Sequence, residues 1–131
     1  MIRTYSEMMK FETYGNRLNY LMLLDNNVDS PRHISSELYH HKTWYQVRDE
    51  IMYRDLSQDL GVNGLYIPKG KLIIHHINPI KEIDILEWNE DRLFNPEFLI
   101  CTSFNTHNAI HYGRKKLYDY VERKPGDTDL W

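Results

Sequence analysis

Four imidazoles are spaced in a way that could do chemistry. His75 and His76 are adjacent at the end of the apolar run KLIIHH, and His107 and His111 stand four residues apart in THNAIHYG. On a helix, that spacing puts both side chains on one face a single turn apart, a common way to offer two ligands to one metal ion. In a strand, successive side chains leave on opposite faces, so His75 and His76 have different tasks. If the strand packs against the start of the helix, His75 turns inward and completes a set of three ligands. His76, turned the other way, is then free to act as a base. Neutral imidazoles favour zinc, nickel, cobalt or manganese over magnesium, and three protein ligands leave a coordination position open for substrate. A second adjacent pair, His40 and His41 beside Lys42, has no partner nearby in sequence and reads as surface or helix-end residues.

The elements that must position these rings follow from periodicity and end signals. Tyr14, Leu18, Leu21 and Leu24 recur at helical spacing and predict an amphipathic helix that stops in the turn-prone DNN of 25–27. Ser30 followed by Pro31 is a helix start, with a short helix through Leu38. TWYQVRDEIMYRD predicts a further helix, with Thr43 and Gln46 at capping-box spacing and Trp44, Val47 and Ile51 on one face. GLYIPKGKLIIHH reads as a hairpin, strand 64–67 and strand 71–76 about a Pro-Lys-Gly turn. The twenty residues after it read as an irregular acidic loop. PEFLICTS then supplies a second short strand, and THNAIHYGRKKLYDYVERK a helix capped by Asn105 or Thr106, with Gly113 placed to end it early. The tail PGDTDLW reads as flexible.

Composition bounds the rest. The chain has 131 residues, 41% hydrophobic and 27% charged, the size and make-up of one globular domain. No apolar run approaches the ~20 residues needed to cross a bilayer, the amino terminus lacks the apolar core of a secretory signal, and a cytosolic setting is expected. Cys101 is the only cysteine, which excludes an internal disulfide and a cysteine-based structural zinc site. The net charge of −3 argues against a partner held by bulk electrostatics alone, yet charge is segregated. Residues 82–97 hold six carboxylates and one arginine, whereas 111–124 hold five basic residues against two acidic ones.

With HHINPI, a loop, and then PEFLICTSFNTHNAIH on the page, the chain resembles the HNH endonuclease family. That family's ββα-metal (His-Me finger) core carries His-His or Asp-His on its first strand and histidines on its helix. The ligand pattern is similar to that of the nuclease colicins, and the flanking WYQVRDEIMYRD and THNAIHYG to HNH proteins encoded by bacteriophages of Gram-positive hosts. The resemblance implies an α+β fold of one domain: an amino-terminal helical extension over 1–42, the nuclease core over 43–113, and a basic segment with a tail over 114–131. It implies that His75, His107 and His111 hold one divalent metal ion (zinc, nickel, manganese, cobalt or magnesium, a transition metal favoured) and that His76 is the general base. Phe98 stands where the family carries its asparagine. The backbone carbonyl of that residue could still orient His76, with Asn95 as the substitute brace for the loop.

The activity implied is hydrolysis of DNA phosphodiester bonds to 5′-phosphate and 3′-hydroxyl ends, falling below about pH 6 as His76 and the ligands take up protons. Arg114, Lys115 and Lys116, one turn beyond His111, either meet DNA phosphates or form a solvated helix face; Lys69 and Lys71 are further candidates for phosphate contact. The implied setting is the cytoplasm of an infected bacterium, with phage packaging proteins as a possible second partner. A homodimer would suit double-strand cleavage, although nothing in the sequence requires one. The alternative is a non-catalytic, metal-stabilised module on the same fold that binds nucleic acid or a protein.

Overall fold

The computed structural model describes residues 2–23, 37–68 and 70–113. In chain order these form helices α1 (Tyr5–Met8), α2 (Tyr14–Leu21) and α3 (Lys42–Asp55), a 3-10 turn at Asp59–Gly61, and strand β1 (Leu72–His76). Helices α4 (Glu82–Leu86) and α5 (Glu90–Phe94), a second 3-10 turn at Pro96–Phe98, strand β2 (Leu99–Ser103) and helix α6 (Phe104–Tyr112) follow. The class is α+β, as expected. No helix among the described residues is long and apolar enough to cross a membrane. The predicted turn at 25–27, Leu24, and the helix start at Ser30 and Pro31 lie outside the described residues, as do Lys69 and everything from Arg114 onward.

β1 and β2 pair antiparallel, from Leu72 opposite Ser103 to His76 opposite Leu99. This corrects the expected hairpin, because residues 64–67 do not pair with β1. They turn back on the 57–59 stretch instead: Tyr66 bridges Gln58, Ile67 N–H donates to the Ser57 carbonyl at 2.9 Å, and Asp59 N–H donates to the Leu65 carbonyl at 2.7 Å. The turn itself is present, with Lys71 N–H donating to the Pro68 carbonyl at 2.9 Å. Alternation marks a strand but not its partner, and here the partner is non-local.

Strand alternation divides the molecule into two cores. Ile74 on β1 and Leu99 and Cys101 on β2 join Trp44, Val47 and Ile51 of α3 with Ile85, Leu93 and Phe94 of α4 and α5. On the other face, Ile100 and Ile77 meet Met8, Leu18, Leu21, Ala109 and Ile110 from α1, α2 and α6, together with Leu60 of the first 3-10 turn. A sheet covered on both faces explains why LIIHH and LICTS read as nearly continuous apolar runs.

Local end signals account for the helices. α2 follows the expected face, with Leu18 and Leu21 buried and Thr13 as its cap. The cap of α3 lies two residues before the expected Thr43: His41 is the cap, its Nδ1 accepting from Thr43 N–H at 3.1 Å. The stretch after β1 is not irregular. Lys81 N–H donates to the Asp84 carboxylate at 2.8 Å to open α4, and Asn89 caps α5 through Arg92 N–H. Short helices escape periodicity because one turn gives too few apolar positions to define a face. α6 is capped by Ser103 rather than Asn105 or Thr106, since β2 runs into the helix with no intervening loop.

Candidate metal centre

β1 and α6 bring His75, His107 and His111 together. The ring centroids of His75 lie 5.2 Å from His107 and 5.4 Å from His111, and the two helix rings are 4.7 Å apart. One nitrogen from each ring lies within 4.8 Å of the other two, and no carboxylate or thiolate belongs to the group. Ligand nitrogens around a tetrahedral zinc stand about 3.4 Å apart, so small side-chain rotations would close the set.

The strand imidazole is the buried one, at 4% exposure, while both helix imidazoles are half-buried at the surface. His75 Nε2 is buried with no hydrogen-bond partner. A buried polar atom left unpaired costs roughly 1–3 kcal/mol, and coordination of a metal ion is one way to offset that cost. Burial, and then the neighbouring His107, His111 and His76, hold His75 well below the ordinary imidazole range. His107 is lowered to about 4, first by burial and then by His111. Both are neutral at pH 7 and present lone pairs, which is the state a metal needs. A three-imidazole donor set with an exposed side fits a transition metal with a position left for another ligand.

His76 faces the other way, as strand geometry requires. Its ring stacks on Trp44 of α3, with centroids 5.4 Å apart and planes 16° from parallel, and 8% of the residue is exposed. His76 Nε2 lies 3.1 Å from the Leu93 carbonyl oxygen. A carbonyl only accepts, so Nε2 carries the hydrogen and Nδ1 the free lone pair. Burial lowers the ring to about 4, against the Leu93 hydrogen bond and the Asp84 charge, which raise it. The ring therefore stays neutral further into acid than the pH 6 expected of an ordinary imidazole.

The Leu93 carbonyl takes the orienting part expected of Phe98. The Phe98 carbonyl instead accepts Ile77 N–H at 2.8 Å, extending the ladder beyond β1. Sequence reading had no means of finding Leu93, because a backbone carbonyl contributes the same contact whatever the side chain. Trp44, on the helix face that the sequence marks with Val47 and Ile51, packs in the core and also covers one side of the His76 ring.

Asn95 braces its own stretch of chain. Its Oδ1 accepts Glu97 N–H at 3.0 Å, capping the second 3-10 turn, and its Nδ2 donates to the Asp91 carboxylate at 3.1 Å. Lys71 is exposed just before β1, while Lys69, Arg114, Lys115 and Lys116 lie outside the described residues. His41 does serve a helix end, with its ring 4.8 Å from that of Trp88.

Comparison of the chain with protein-family models, with curated proteins and with solved structures finds no significant match.

Proposed function

We propose that this protein is a metal-dependent DNA endonuclease of the HNH type, built on a ββα-metal core formed by β1, β2 and α6. The observation that carries the reading is the convergence of His75, His107 and His111 on one point while the adjacent His76 holds a fixed, neutral tautomer. His75, His107 and His111 would hold the ion, which when bound supplies Lewis-acid stabilisation of the negative charge that develops at phosphorus and on the departing 3′ oxygen.

The chain's own residues supply the rest. The Leu93 carbonyl fixes the His76 proton on Nε2, which leaves Nδ1 to take a proton from the water that attacks phosphorus. Trp44 limits rotation of the ring. The products are 5′-phosphate and 3′-hydroxyl ends. DNA is the proposed partner, the infected bacterial cytoplasm the proposed setting, and packaging proteins and a second copy of the chain the proposed associates.

A second reading is favoured by one observation: only 8% of His76 is exposed, between Trp44 and Leu93. A base so enclosed must gain access to its substrate, whereas a non-catalytic, metal-stabilised binding module needs no base. Supercoiled plasmid incubated with the protein and manganese, cobalt, nickel, zinc or magnesium separates the two. Cleavage that disappears in His76→Ala while fold and metal content persist supports the nuclease; absence of cleavage with every metal supports the module.

A further inference from the structure

We infer that Asp59 is a positioning residue for the three-imidazole site: its carboxylate locks the joint between β2 and α6 and so sets where His107 and His111 stand relative to His75. The inference rests on the reading of those imidazoles as metal ligands.

Asp59 opens the 3-10 turn at 59–61, more than forty residues away from the joint it holds. Ser103 N–H donates to Oδ1 at 3.1 Å, and the hydroxyls of Ser103 and Thr106 both donate to Oδ2, at 2.8 and 2.6 Å. Ser103 is the cap of α6, its hydroxyl oxygen accepting Thr106 N–H at 3.2 Å. Thr106 immediately precedes His107. Since the Thr106 proton is committed to Asp59, the Tyr14 hydroxyl, 2.7 Å away, must donate to Thr106. The chain of donors therefore runs from α2 through the first turn of α6 and ends on one carboxylate.

Three donors converge on two oxygens, an arrangement that suits an ionised carboxylate; burial raises the Asp59 carboxyl above its ordinary range, and the bonds from Thr106 and Ser103 oppose that rise. The charge also faces the positive end of the α6 dipole. α6 is also held by apolar packing of Ala109 and Ile110 and by the bond from Leu23 N–H to the Ile110 carbonyl at 2.9 Å. Apolar contacts hold a helix against a sheet without fixing its rotation or slide to tenths of an ångström, and metal distances tolerate only about 0.2 Å. Asp59 supplies that precision at the end of the helix nearest His107.

Asp55 is the natural control. It is the more deeply buried of the two, at 3% exposure against a half-buried Asp59, and it also anchors β2, accepting from Cys101 N–H at 3.0 Å while it pairs with the Arg54 guanidinium at 2.8 Å. None of these contacts is made to α6. In Asp59→Asn the charge is lost and one acceptor oxygen becomes a donor, so the hydroxyls of Ser103 and Thr106 must reverse their roles and the charge-assisted bonds that lock the joint are gone.

The experiment is cobalt(II) titration of the full chain, following visible absorption alongside far-ultraviolet circular dichroism. Asp59→Asn should bind cobalt about tenfold more weakly, the usual scale for an outer-shell change, with altered visible bands at unchanged helix content. Asp55→Asn should lose stability but keep the bands and affinity of the unaltered chain. If Asp59→Asn does not fold, Thr106→Val, which removes one of the three donors, carries the same comparison. Unchanged affinity and bands in the folded Asp59 or Thr106 variant would overturn this inference and leave the metal site standing. Failure of the unaltered chain to bind cobalt at all would overturn both.

Discussion

Acid should unfold this protein through its buried imidazoles, and His76 offers the cleanest place to measure the effect. An imidazole in the unfolded chain takes up its proton near ~6.5, whereas His76 in the fold does so at about 4. Above the first value both states are neutral there and the residue has no effect on the pH dependence. Between the two values the unfolded chain binds the extra proton, so stability falls as pH falls, and the loss is complete below the folded value. For one such residue the linkage relation gives a loss of about 2 kcal/mol from pH 7 to pH 5, and about 3 kcal/mol in full. His75 and His107 are lowered in the same direction, so together the three could consume a large part of the ~5–15 kcal/mol that typically stabilises a domain. The perturbation is His76→Gln, which keeps a donor for the Leu93 carbonyl but cannot titrate. Urea denaturation in chelator at pH 7, 6 and 5, followed by circular dichroism, should show the variant losing about 2 kcal/mol less than the unaltered chain over that interval. Equal pH dependence in the two proteins would refute the claim that His76 is buried and neutral.

Other outcomes follow from the same structure. Gly113 ends α6 at φ 99° and ψ 164°, a region that essentially only glycine occupies, so Gly113→Ala should cost about 1–3 kcal/mol in urea denaturation and loosen the helix end that carries His111. Trp44→Leu removes the ring stacked on His76 and admits water, which should raise the His76 proton affinity back toward ~6.5 in a histidine titration followed by nuclear magnetic resonance. Phe98→Ala should leave the His76 tautomer unchanged in the same spectra, because the orienting carbonyl belongs to Leu93.

The parts of the site that were legible in the sequence are those set by local geometry. His107 and His111 share a helix face because of their spacing, and His75 and His76 part company because strands alternate; both relations hold in the fold. What periodicity could not supply was pairing between distant segments. The turn at Pro68 to Lys71 was legible, yet residues 64–67 bond back to 57–59 while β1 takes β2 as its partner. Backbone acceptors were equally hidden, since nothing in the side chain of Leu93 announces that its carbonyl would meet His76. The Asp59 network was missed for a third reason. Its members, Tyr14, Asp59, Ser103 and Thr106, are individually ordinary, and only the tertiary fold shows the Ser103 and Thr106 hydroxyls meeting on one carboxylate with Tyr14 behind Thr106.

Calorimetric titration of zinc into the metal-free chain at pH 7 tests the central claim most directly. One ion should bind per chain, to His75, His107 and His111, with binding lost in His75→Ala and retained in His41→Ala. Zinc uptake that is absent, or that proceeds unchanged without the imidazole at position 75, would contradict it.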